Sequence, residues 1–145
     1  MAKFVRLDVM SGNRDTSKVK SARYYDNNVV SEVENGTVVA LSGLLDGERE
    51  IHKAVAAQNT DTYVGIVCTP EVCCDEITHT KIENFVNKAG DTIRVIIPDV
   101  GDIFSLGGVD SDSDIALGAN LTGKHIATEI CGRITYHVYE VQPAE

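Results

Sequence analysis

The sequence predicts a mainly β protein: an antiparallel β-barrel-like or β-sandwich domain preceded by an extended N-terminal arm. Three observations predict it. Turn-forming clusters rich in Gly, Asn, Asp and Pro recur every 8–12 residues across more than 100 of the 145 residues. Short runs of β-branched and aromatic residues stand between them, at 37–41, 62–68, 92–97 and 134–141. No stretch sustains the 3.6-residue apolar period of an amphipathic helix. Together these are the marks of many short strands joined by tight turns. A chain of this length most economically forms one domain, burying roughly two-thirds of its unfolded surface without staples. The expected division is an arm over 1–20 and a single β-domain over 21–145.

Residues 1–20 have few apolar side chains, with Phe4, Val5, Leu7 and Val9 as the anchors, and end in the turn-rich stretch 12–18. Residues 22–25 and 29–30 are β-prone and flank the turn Asp26-Asn27-Asn28. Glu34-Asn35-Gly36 precedes the run 37–41, and an Asn-Gly pair beside such a run is a short-range hairpin signal. Asp46-Gly47 makes a further turn into 48–57. There Ile51, Ala54 and Val55 fit a helical spacing while Arg49, Ile51, Lys53 and Val55 fit a strand, so periodicity leaves both open. Residues 62–68 read as a strand ended by Thr69-Pro70, and 82–87 as a short helical turn. The runs 92–97 and 102–106 flank Pro98-Asp99-Val100-Gly101, where Pro sets φ and Gly permits positive φ, the corner of a hairpin or of a barrel strand pair. Gly118-Ala119-Asn120 and Gly132-Arg133 separate three final strand candidates, the last bearing Tyr136 and Tyr139.

Composition narrows the function. The formal charge of −9 disfavours nucleic acid, which needs clustered Lys and Arg, although 6 of the 13 basic residues lie between Lys3 and Arg23. The absence of Trp and the few aromatics argue against a base- or sugar-stacking platform. No run approaches the ~18 apolar residues of a membrane helix, and no basic-then-apolar leader opens the sequence. The expected compartment is cytosol or a particle assembled there. Asn35-Gly36-Thr37 and Asn120-Leu121-Thr122 accordingly read as turns rather than glycosylation acceptors.

Candidate chemistry is sparse. Cys68, Cys73, Cys74 and Cys131 read as free thiols. The alternative, zinc held by Cys68, Cys73, Cys74 and His79, lacks the usual paired C-x2-C spacing. Asp110, Asp112 and Asp114 invite a calcium-loop reading. The EF-hand needs Gly and Glu where this chain has Ile115 and Leu121, so a solvated acidic loop is the expectation, with a calcium site of another type as the alternative. His52, His79, His125 and His137 share no metal-binding spacing, and a Cys131–His125 dyad has no support beyond residue type. No nucleophile elbow, P-loop or dinucleotide fingerprint occurs. Catalytic residues, metal ligands and cofactors are all expected to be none.

One dense pattern remains: Ile82, Asn84, Phe85, Asn87, Ala89, Gly90, Asp91, Ile93 and Arg94, then Gly101, Asp102, Ile103, Phe104 and Ser105. It resembles the capsid decoration, or cement, proteins of tailed bacteriophages, and more loosely the similarity spans 30–141. The resemblance implies a non-enzymatic β-barrel-like protein made in the host cytoplasm. In the virion it would bind the outside of an expanded icosahedral capsid, with the major capsid protein as partner and self-association as a homotrimer. Neither nucleic acid nor membrane is implied. The Cys73-Cys74 pair and the 110–114 loop are not part of the pattern. Phe4, Val5, Arg6 and Leu7 are the expected capsid-contacting residues, because charge and bulk alternate there at an otherwise untethered end. The runners-up are another virion structural protein (tail tube or head-fibre base), a small metal-dependent enzyme, and a ligand-binding β-barrel.

Overall fold

The computed structural model describes residues 4–9, 18–71, 85–108 and 112–144, the side chains of residues 7–9 excepted. Among these, eleven strands form two sheets and no α-helix occurs. In chain order they are β1 Phe4–Val9, β2 Val19–Asp26, β3 Val29–Val30, β4 Val38–Leu44, β5 Ile51–Ala56, β6 Val64–Val67, β7 Ile93–Ile96, β8 Ile103–Gly107, β9 Ile115–Leu117, β10 Leu121–Cys131 and β11 Ile134–Pro143. One sheet runs β3-β2-β5-β4-β6-β7, and β7 returns to pair with β2, closing a five-stranded barrel with β3 appended. The other runs β1-β8-β11-β10-β9 as an open half-barrel. Every pairing is antiparallel except β2 with β5. The expected mainly antiparallel β architecture is what the chain forms.

Two apolar clusters explain the continuous hydrophobic runs. Ala22, Val39, Leu41, Ala54, Val67, Ile93 and Val95 fill the barrel interior. Ala40, Val64, Ile66 and Ile96, on the barrel's outer side, meet Phe104, Leu106, Leu117, Tyr139 and Val141 from the half-barrel. Strands β4, β6 and β7 thus bury both faces, which removes the polar–apolar alternation a one-sided strand would show. Phe104 and Tyr139 stack with ring centroids 5.7 Å apart at the centre of the second cluster. Truncating Phe104 to alanine there would cost about 3–5 kcal/mol.

Local chemistry places the turns. Asn27 and Asn28 both have positive φ (50° and 64°), the type I′ geometry that suits the twist of the β2–β3 hairpin. Residues 48–57, ambiguous by period, contain strand β5, because the Asp46-Gly47 turn folds them back on β4. Of the helical turn expected at 82–87, residues 82–84 lie outside the described residues, and 85–87 are not helical: Asn87 forms an isolated bridge with Val33.

Two turn readings are corrected. Pro98–Gly101 is no hairpin, since β7 and β8 belong to different sheets and the turn carries the chain from barrel to half-barrel. Asp102 holds this corner: its buried carboxylate accepts the Asp99 N–H at 2.8 Å, its own N–H returns to the Asp99 carbonyl at 3.1 Å, and its carbonyl accepts from Val141 at 2.9 Å. Glu34-Asn35-Gly36 likewise joins no paired strands. Asn35 is 1% exposed, donates to the Thr69 carbonyl at 2.9 Å, and accepts from Thr69 N–H and Asn87 Nδ2, each at 3.1 Å. Asn87 Nδ2 also reaches the Val33 carbonyl at 3.0 Å. This Asn pair clamps three chain segments together, and its burial leaves Asn35 no room for a glycan.

The arm is extended but not separate. Residues 4–6 pair with β8 in the register Phe4↔Gly107, Val5↔Leu106 and Arg6↔Ser105. The other end of the expected arm already belongs to the barrel, because β2 starts at Val19 and pairs it with Ile96. No helix among the described residues is long and apolar enough to cross a membrane.

Candidate functional site: the β10–β11 hairpin

The longest paired element with an exposed outer half is the hairpin of β10 and β11. Its two-residue loop, Gly132-Arg133, has Gly at the first central position with φ 61°, a type II′ turn that matches strand twist and fixes Cys131 opposite Ile134. The root is secured on both sides. Leu121–Gly123 pair with β9, and residues 136–140 of β11 pair with β8. From Lys124 onward β10 has β11 on one side and no strand on the other among the described residues. Side chains 126–131 are all exposed, including Ile126 at 48% and Ile130 at 75%. Ile126 sits at a bulge, where the register shifts between His125↔Tyr139 and Ala127↔Val138. An unpaired edge offers a row of N–H and C=O groups to another chain, and proteins usually blunt such edges with Lys, Pro, short length or bulges; here the bulge at Ile126 protects only the root of the edge. Residues 126–131 contain neither Lys nor Pro.

One face of the hairpin is strapped by Arg6. Its guanidinium lies 4.4 Å from the Tyr136 ring centroid, and Nη2 donates to Glu129 Oε2 at 2.6 Å and to Ser105 Oγ at 3.2 Å. One side chain from β1 thereby reaches across β8 and β11 to β10. Gly107 makes the space: a Cβ there would crowd Ile134, Tyr136 and Phe4. The Arg6 hydrogen bond and charge hold the Glu129 carboxyl below its ordinary range, while partial burial pushes the Tyr136 phenol up.

On the other face, His125 Nε2 and His137 Nδ1 lie 3.2 Å apart, and Thr128 Oγ1 is 3.2 Å from the first and 3.4 Å from the second. The His125 ring meets the buried Tyr139 edge-on at 5.5 Å. Asp114 Oδ1 accepts the His125 backbone N–H at 3.0 Å, tying the acidic loop to this strand. Burial, with the charges of Asp112 and Asp114, raises the Tyr139 phenol.

Three of the four residues expected to contact a partner have described side chains. Phe4 is 6% exposed, Val5 packs against the inter-sheet core, and Arg6 is engaged within the chain. The Leu7 side chain lies outside the described residues. Two other basic groups near the N-terminus also find internal partners, Lys18 with Asp99 at 3.2 Å and Arg23 with Glu48 at 3.6 Å.

The remaining candidates are scattered. Cys73, Cys74, His79 and Asp110 lie outside the described residues. Cys68 is buried beside Arg94, which donates to its carbonyl at 2.8 Å; desolvation pushes the thiol up and Arg94 only partly opposes this, so the protonated, unreactive form is favoured. Cys131 is exposed near the hairpin turn, while His125 faces His137 instead of a thiol. His52 Nδ1 lies 3.0 Å from the Ser42 carbonyl, a bond that tethers the β4–β5 pair. Among the described residues no three His, Cys, Asp or Glu side chains converge as a metal site. The His125–His137 contact escaped motif spacing, yet the Gly132-Arg133 turn carries the signal: a two-residue loop puts Thr128 opposite His137, with His125 near by. Comparison with protein-family models, curated proteins and solved structures finds no match to the chain.

Proposed function

We propose that this protein is a non-enzymatic virion component that binds and stabilises the outer surface of an expanded icosahedral phage capsid. The observation that carries the proposal is the β10 edge beyond Gly123, which pairs with no strand among the described residues, with its exposed Ile126 and Ile130. Such an edge suits strand addition: backbone hydrogen bonds supply affinity and alternate side chains supply specificity. The capsid surface is favoured as partner by the sequence pattern that resembles decoration proteins. Its residues serve as scaffold here, with Asn87 in the buried clamp, Ile93 inside the barrel, Asp102 at the inter-sheet corner and Phe104 in the core. A protein that binds only the assembled shell stabilises it by mass action, and many copies multiply the effect. In this reading the partner is the major capsid protein, the protein acts as a homotrimer, and its place is the capsid exterior after synthesis in the host cytoplasm. The hairpin edge joins Phe4, Val5, Arg6 and Leu7 as a candidate contact, and it is favoured over Phe4 and Arg6 because Phe4 is buried and Arg6 has partners within the chain.

The test is co-sedimentation with expanded, undecorated capsids of the phage that encodes the protein, counting copies per shell. Saturable binding at the copy number of a symmetry site is the expected result. The same free edge also favours a second reading, a tail-tube or head-fibre base protein that pairs with its own copies. Rings or tubes formed by the protein alone, without shell binding, would select that reading over decoration.

A further inference from the structure

The inner face of the β10–β11 hairpin carries a triangle of donor atoms that the proposed docking role does not use. His125 Nε2, His137 Nδ1 and Thr128 Oγ1 are separated by 3.2, 3.2 and 3.4 Å. Ligand atoms about 2.0–2.1 Å from a tetrahedral zinc ion stand roughly 3.3 Å apart, so the triangle has the dimensions of one face of such a coordination shell. We propose that His125 and His137 form a two-imidazole site for a late first-row divalent ion of the zinc, nickel or copper type. Thr128 Oγ1 supplies the third corner, directly or by orienting a bound water.

The chemistry of the donors sets the class of ion. Imidazole nitrogen suits zinc, copper and nickel, whereas calcium and magnesium require oxygen cages. The geometry is prepared before metal arrives. Without the ion, a single N–H···N hydrogen bond links the two rings, and the tilted ring pair, 5.2 Å between centroids, is braced by Tyr139 against the His125 ring. The ion takes the place of the bridging proton. That proton goes to solvent while the nitrogen of the same ring facing away gains one, so each ligating ring stays neutral. Thr128 is exposed and both rings are half-exposed, leaving the remaining coordination positions to water. Asp114, bonded to the His125 N–H, and Asp112 add negative potential beside the site, in a chain of formal charge −9.

The test uses the full chain stripped of metal with chelator and exchanged into chelator-free buffer at pH 7.5. Zinc and nickel are titrated by calorimetry, and cobalt(II) by its visible absorption. The expected result is one equivalent bound per chain with a dissociation constant on the order of micromolar, weakened at least tenfold in H137Q and in H125A and unchanged in H52A. Nickel should selectively broaden the ring resonances of His125 and His137. Because His125 braces Tyr139, H137Q is the decisive variant if H125A fails to fold. Binding no tighter than millimolar would overturn the proposal. So would one-equivalent binding that persists in folded H137Q, since the ion would then reside elsewhere in the chain.

Discussion

Replacing Asn35 with alanine removes a buried side chain that makes three hydrogen bonds, two with Thr69 and one with Asn87. Asn87 Nδ2 keeps the Val33 carbonyl as acceptor, so its loss is one ordinary bond, about 1 kcal/mol. The Thr69 N–H and C=O lose the partners seen here. An unsatisfied buried group costs about 1–3 kcal/mol, and because Thr69 is half-exposed the lower end applies to each. The expected destabilisation is therefore about 3 kcal/mol, a large share of the 5–15 kcal/mol typical of a domain. Chemical denaturation should show a lower midpoint at unchanged slope, and the melting temperature should fall by roughly 6–12 °C. Asn35→Asp separates the donor from the acceptor role. The carboxylate still accepts from Thr69 and Asn87 but opposes the Thr69 carbonyl oxygen, so at pH 7 it should be less stable than Asn35→Ala. Its folded-state pKa is raised by that repulsion, and stability relative to wild type should recover as pH falls through it. Destabilisation by Asn35→Ala of under about 1 kcal/mol would refute the clamp as argued.

Three further outcomes follow from the same geometry. Burying an isoleucine is worth about 1.5–3 kcal/mol; scaled by the exposure of Ile126 (48%) and Ile130 (75%), the double change to serine should weaken capsid binding about 20- to 400-fold. The free protein's stability should hardly change, and equal shell occupancy by wild type and variant in co-sedimentation would remove the hairpin edge from the interface. Glu129 is held below its ordinary range chiefly by the Arg6 hydrogen bond, so the Arg6–Glu129 contribution is present above the unfolded pKa and lost as pH falls through the lower folded value. Carboxylate titration by NMR should return Glu129 to the ordinary range in Arg6→Gln, and high salt should blunt the difference. Gly118→Ala places a methyl group on a residue with φ +79° and against the Asp61 carbonyl, which also accepts the Ala119 N–H at 2.7 Å. It should destabilise by more than about 2 kcal/mol, whereas Gly47→Ala, with the same φ and open space, should lose only the conformational part in parallel denaturation curves.

Turn chemistry made much of the fold legible. Asn27-Asn28, Asp46-Gly47 and Gly132-Arg133 each mark a hairpin that forms, and the two-residue loops at 27–28 and 132–133 set the register next to them, whereas the β4–β5 register shifts at a bulge between Leu41 and Leu44. Burial hid the rest. Residues 92–97 and 102–106 flank a good turn and look like hairpin partners, but the first run lies in a strand buried on both faces and the second contributes to a different sheet. A run without alternation carries no register information. Asn35-Gly36 has the composition of a hairpin loop and serves instead as a buried polar joint, a role that depends on Asn87, 52 residues away. The strap is less legible still: Arg6 and Glu129 are 123 residues apart, and nothing short of the β1–β8–β11–β10 order brings them together. Only the histidine pair was within reach, through the two-residue turn.

The strap also changes what an N-terminal deletion measures. Removing residues 2–12 takes away β1, and with it the Arg6 contacts to Tyr136 and Glu129. The outer half of the hairpin would then lose that strap and keep its root pairings and the His125–His137 face. A strand that is already ordered binds with a smaller entropic cost than one that must be ordered on contact. The deletion should therefore weaken shell binding even though Phe4 is buried and Arg6 is engaged within the chain. Hydrogen exchange on the free protein distinguishes this route from direct contact by the arm. If the hairpin is the binding element, the deletion should speed exchange at residues 133–138 of β11, and Arg6→Gln alone should reproduce part of both the faster exchange and the weaker binding. If binding falls while hairpin exchange is unchanged, the arm itself touches the shell, and the contact returns to the residues the sequence first suggested.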